Sequence, residues 1–223
     1  MVENSNNSDP RILRKQPNWE NLAFYKRSDV LYRLTVHFAR KYLSYKDRTV
    51  DQMVQAARSG KQNIVEGMAD GVTSSEMEIK LINVSRGSIK ELREDYVDYL
   101  ATRGLTLWDR SNPRQQHLLE FCRTHNNIDD YTPLFKKAND EELCNLAITL
   151  CHQVDKMICT WLNKLEETFR EEGGIKERMT AVRLGRRQTQ NEIIEAQAHE
   201  IEMLKREIAQ LRATIDKISC NRQ

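Results

Sequence analysis

The stretch Gln52-Met-Val-Gln-Ala-Ala-Arg-Ser-Gly-Lys-Gln-Asn-Ile-Val-Glu-Gly67 constrains the fold more than any other in the chain. Met53, Ala56, Ala57, Gly60 and Ile64 recur every three or four residues, which predicts a helix over about 50–67. Its middle is lined by small residues (Ala56, Ala57, Ser59, Gly60), and a small-residue face lets a second helix approach closely. Gly67 reads as a left-handed stop and Gly71 as part of the turn beyond. Asn63 and Glu66 share one face of this helix and are expected to be buried, hydrogen-bonding to backbone or to Ser88 and Glu91 of the next helix.

The neighbouring segments carry the same period. Leu22, Tyr25, Leu31, Leu34, Phe38 and Tyr42 predict a helix from about 19 to 45. Thr73-Ser-Ser-Glu76 is a capping pattern, opening a helix with the apolar face Met77, Leu81, Val84, Ser88, Leu92, Tyr96 and Tyr99 and ending near Gly104. Pro113, Asn126-Asn127, Asp129-Asp130 and Pro133 interrupt the period, so 105–138 reads as an insert of loops around a short helix at 114–124. Asn139 or Asp140 then caps a helix to about Arg170, with Cys144, Ala147, Cys151, Val154, Ile158, Trp161 and Leu165 on one face and Gly173-Gly174 as its stop. With 30% charged residues and only eight glycines and four prolines, the expected fold is all-α: an antiparallel four-helix bundle over 18–172, interrupted by the insert.

The C-terminal fifty residues follow a different rule. Ile194, Ile201, Ile208 and Ile215 repeat every seven residues, with Gln197, Leu204, Leu211 and Ile218 at the second seam position. Isoleucine at a with leucine at d favours a parallel two-stranded coiled coil. Glu200 precedes Lys205 by five and Glu207 precedes Arg212 by five, the spacing of ion pairs between parallel strands. A coiled-coil helix over 191–223 is expected, with Ile194, Ile201, Leu204, Ile208, Leu211 and Ile215 as its oligomerisation seam; packing of this helix on its own bundle is the alternative. Cys220 near its end could cross-link two parallel strands in oxidising buffer.

Residues 1–62 hold 12 Lys/Arg against 6 Asp/Glu, whereas the remainder of the chain is close to balanced or acidic. The first 17 residues read as a flexible basic arm. On the first two helices Arg27, Arg33, Arg40, Lys41, Arg48, Arg58 and Lys61 are candidates for a face that holds nucleic-acid phosphates without reading sequence, or are simply solvated. A second basic group, Lys176, Arg178, Arg183, Arg186 and Arg187, falls in an expected linker at 173–190.

Five cysteines without a CxxC pair suit a reducing compartment and leave no zinc pattern. No Glu-x-x-His pair, phosphate-cradling glycine loop or nucleophile elbow occurs, so no enzymatic activity and no cofactor are expected. No run approaches the roughly 20 apolar residues of a membrane span, and residues 1–10 lack an apolar signal core; a cytoplasmic location is expected.

Gln52…Ala56-Ala57-Arg58-Ser59…Asn63-Ile64-Val65-Glu66-Gly67, followed by Gly87-Ser88-Ile89-Lys90-Glu91-Leu92, resembles the bacterial four-helix-bundle family of ribosomal RNA intervening-sequence proteins and diversity-generating retroelement accessory proteins. The likeness covers about 22–100, with 140–170 as fourth helix by position, and departs from the family in its long insert and C-terminal coil. The resemblance implies a barrel-like homo-oligomer, often five-fold, with a basic surface for RNA or DNA and, in retroelement members, a reverse transcriptase as partner. A protein–protein scaffold that binds no nucleic acid is the competing expectation.

Overall fold

The computed structural model describes residues 12–15 and 17–220, except the side chains of 216 and 218–220. Most of the expected N-terminal arm (1–11 and 16), the seam residue Ile218 and the thiol of Cys220 lie outside what it describes. Among the described residues there is no strand. A short 3-10 turn, Trp19–Asn21, precedes α1 (Ala23–Tyr42), α2 (Arg48–Asp70), α3 (Ser75–Thr102), α4 (Pro113–Thr124), α5 (Ile128–Lys137), α6 (Asp140–Glu172) and α7 (Ile175–Cys220). The chain divides into two compact units, 13–175 and a smaller one in which Ile12 accompanies the C-terminal helix from 176.

In the larger unit α1 packs on α2, α2 on α3, α3 on α6, and α6 back on α1. These helices surround a continuous core, in which Leu31, Leu34, Phe38, Met53, Ile64, Ile82, Ile89, Leu92, Tyr96 and Val154 are fully enclosed. The helix starts follow local chemistry. Asp47 accepts from the Thr49 amide, Ser74 from Met77, and Asn139 from Glu142, whose carboxylate accepts in turn from the Asn139 amide. Gly173, with φ of 68°, ends α6 in a conformation that glycine adopts freely.

Gly67 is a correction to the expected stop. It has no positive φ, and α2 runs through it to Asp70. What this position requires is space: a Cβ there would lie 3.2 Å from Ile82. The first half of α3 buries a different face from the one expected: Met77 and Val84 are exposed, while Glu78, Ile82, Ser85 and Ile89 point inward. In its second half Ser88, Leu92, Tyr96 and Tyr99 are buried as expected.

The insert is ordered helix rather than mostly loop. Pro133 sits inside α5, preceded by the box in which the Asn127 amide donates to Asp130. As the sixth residue of α5, Pro133 forgoes one intrahelical bond, the one an amide there would give the Asp129 carbonyl. The insert covers α6, which explains why nine consecutive residues, Leu143 to Cys151, are buried. Two polar members of that run hold the insert down. Asn145 donates to the Thr106 carbonyl at 2.9 Å and accepts from the Trp108 amide at 2.8 Å. Thr149 accepts from Gln115 at 3.0 Å.

In the smaller unit α7 is one continuous helix of 46 residues, so the expected linker at 173–190 is helical from Ile175 onward. No helix among the described residues is long and apolar enough to cross a membrane.

Candidate interaction surfaces

The seven basic candidates on α1 and α2 do not form one face. Arg27 points into the larger unit and is only 9% exposed. Its guanidinium donates to the carbonyls of Cys122, at 2.8 Å, and Arg123, at 3.4 Å, and lies 3.5 Å from the Met157 sulfur. The correction has a physical reason: Arg27 falls on the α1 stripe that meets α4 and α6, and its fork satisfies the carbonyl end of α4. Lys61 and Arg33 both reach Asp29, at 3.0 and 2.8 Å, and Lys61 also sits over the Tyr32 ring. One carboxylate thus offsets two of the cations. Arg40, Lys41, Arg48 and Arg58 are exposed, with the Lys41 ammonium over Tyr42 and 3.5 Å from the Ala138 carbonyl.

Beside them the surface turns acidic. A groove of about 610 Å³ between α2 and α3 is lined by Asp51, Gln55, Ser59, Ser88, Glu91 and Asp95, among others. Burial raises the Asp95 carboxyl above the ordinary carboxylate range, helped by Asp98 and Glu91. A polyanion tracking α2 toward α3 would meet these charges.

The small-residue contact is built differently from the expectation. Asn63 donates to the Ser59 carbonyl at 2.9 Å and to the Ser59 hydroxyl at 3.0 Å, within its own helix. Ser88 of α3 donates to that same hydroxyl at 3.1 Å. Glu66, expected to be buried with Asn63, is exposed, whereas Ser88 and Gly67 are buried. Ser59 is therefore the joint between the helices, and Asn63 only orients it.

Neither cysteine nor histidine chemistry assembles in the larger unit. Burial pushes the Cys122 thiol up to about 11 and raises Cys144 and Cys151 further, opposite to the shift an active nucleophile needs. His152 is largely exposed; partial loss of water around its ring, together with nearby Arg93, depresses its pKa. No cluster of three or more His, Cys, Asp or Glu suited to a metal occurs among the described residues.

On α7 the seam residues Ile194, Ile201, Leu204, Ile208, Leu211 and Ile215 are each between 49% and 63% exposed, and Ile193 and Met203 add to the apolar surface. The acidic and basic flanks Glu200, Glu207, Lys205 and Arg212 are exposed as well. These six residues are brought onto one helical stripe by their seven-residue spacing. Searches of protein-family models, curated proteins and solved structures return no match to this chain.

Proposed function

We propose that this chain is a non-enzymatic, self-associating scaffold in which two copies pair in parallel through α7, each carrying α1, α2, α3 and α6 as an antiparallel four-helix bundle. The observation that carries this reading is the exposed apolar seam of α7. A stripe of six large aliphatic side chains, each about half exposed, is a surface that seeks a cover. Its flanks select a second copy as that cover: Glu200 and Glu207 of one strand meet Lys205 and Arg212 of the other only when two α7 helices run in the same direction. A charge-exchange experiment tests it. Glu200→Lys with Glu207→Lys should weaken pairing with itself, as should Lys205→Glu with Arg212→Glu. Mixing the two variants should restore pairing. Two variants that pair with themselves as tightly as wild type would contradict the parallel arrangement.

A second reading adds RNA or DNA to the scaffold, as the likeness to the intervening-sequence and retroelement accessory proteins suggests, with a reverse transcriptase as the enzyme it would serve in a cytoplasmic setting. The exposure of Arg40, Lys41 and Arg48 around the α1–α2 turn, and of Arg58 farther along α2, favours it. Reversing these four charges should weaken retention of nucleic acid and flatten its salt dependence. Unchanged retention removes this face from the reading.

A further inference from the structure

We infer that the first turns of α7, Arg178 to Asn191, form a clamp for the phosphates of double-stranded DNA when two copies pair. The inference rests on the parallel pairing of α7 proposed above. It begins with a register. Carrying the seven-residue repeat back from Ile194 places Arg187 at the first seam position, and carrying it back from Gln197 through Gln190 places Arg183 at the second. In a parallel pair each of these would face its own copy. Two arginines approaching each other across a two-fold axis repel, and neither has a carboxylate at the seam to offset it. The apolar seam therefore ends at Ile194, and upstream the helices must diverge or take an anion between them.

Composition points the same way. Between Glu177 and Glu192 the helix carries four arginines, Arg178, Arg183, Arg186 and Arg187, and no acidic residue. Arg178 is half-buried and donates to the Ile12 carbonyl at 3.1 Å, so Arg183 and Arg187 carry the argument. Arg183, Arg186 and Arg187 are exposed on an unbroken helix. Pairing doubles that charge within two to three helical turns. Gly185 lies between them with nothing within 4 Å of where its Cβ would be, so the backbone there is open to close approach. Continuous helices that fork from a coiled coil into basic segments are a geometry that straddles a DNA duplex.

The chemistry selects duplex over single strand. No Phe, Tyr or Trp occurs after Phe169, so no ring is present to stack on an exposed base. The deep, narrow major groove of duplex RNA excludes side chains, whereas that of DNA admits a helix. Guanidinium groups suit phosphate oxygens, and the contact is independent of base sequence.

The test uses the full chain and a fluorescent DNA duplex of about two turns, roughly 20 base pairs, followed by polarisation as salt is raised, with molecular mass measured in parallel. Wild type is expected to bind as a dimer, with affinity falling steeply with salt. The variant Arg183→Gln/Arg186→Gln/Arg187→Gln should remain a dimer, lose about tenfold or more in affinity and show a shallower salt slope. The variant Ile201→Asp/Ile208→Asp should be monomeric and bind as weakly. A wild-type dimer whose arginine variant binds equally well overturns the clamp and leaves the pairing intact. A wild-type monomer overturns the pairing and the clamp with it. A dimer that ignores duplex DNA at low salt, or that prefers duplex RNA or anionic vesicles, overturns the DNA assignment.

Discussion

The Ser85 hydroxyl of α3 donates to the Gly60 carbonyl oxygen of α2 at 2.5 Å. Two helices can share such a bond only where neither presents bulk at the crossing. A Cβ at position 60 would lie 2.6 Å from the end of Ile89 and 3.1 Å from its Cγ1, and Ile89 is itself 1% exposed. Gly87, on the exposed side of α3, has nothing within 4 Å.

These two glycines should respond with opposite signs. Gly60→Val is expected to cost about 1–3 kcal/mol through overpacking at the α2–α3 seam. Gly87→Ala should stabilise by up to about 1 kcal/mol, since it removes backbone freedom from an exposed helical site. Urea titrations of both variants against wild type measure this, and a stabilised Gly60→Val would show that the seam is looser than described.

Arg27 should behave as a structural residue. Replacing it by Ala leaves the Cys122 and Arg123 carbonyls without their donor, at an expected cost of about 1.5–3 kcal/mol. Nucleic-acid retention should be unchanged once the comparison is made at a temperature where both proteins are folded. Reduced retention at full stability would restore Arg27 to the binding set.

Much of this was legible in the sequence, and the failures have causes. The helix start at Asn139 and the stop at Gly173 were readable because capping is local chemistry, decided within four residues. The start of α3 was readable to within one residue: Ser74 rather than Thr73 is the cap, and it holds the Met77 amide. Gly67 misled because a glycine that ends a helix and one that admits a neighbour look alike until the neighbour, Ile82, is placed. Arg27 misled for the same reason: its partners are 95 and 130 residues away, and its charge reads as solvent-facing until α4 and α6 cover it. The cue for the covered face of α6 was present, in the unbroken run Leu143 to Cys151 with its Asn145 and Thr149, a pattern buried on both sides rather than on one stripe.

Glu78 carries a pH dependence whose sign is fixed. It is buried beside Arg14, 4.0 Å away, and burial raises its carboxyl above the ordinary value while Arg14 pulls against the rise. The folded state therefore holds this proton more tightly than the unfolded chain. Its contribution is fully favourable below the unfolded value and is lost as pH rises through the folded one. Wild type should gain stability relative to Glu78→Gln as pH falls from neutrality toward 4.5, the reference value for the group. A stability difference that does not move with pH, or moves the other way, would place Glu78 in a wetter or more cationic setting.

The pairing of α7 is the claim on which the proposed function turns, and molecular mass in solution addresses it most directly. Light scattering across a concentration series should give twice 26.2 kDa for the full chain and a single 26.2 kDa for Ile201→Asp/Ile208→Asp, with helical content retained in both. A wild-type mass of 26.2 kDa at every concentration, or a five-fold mass that the double variant leaves unchanged, contradicts it.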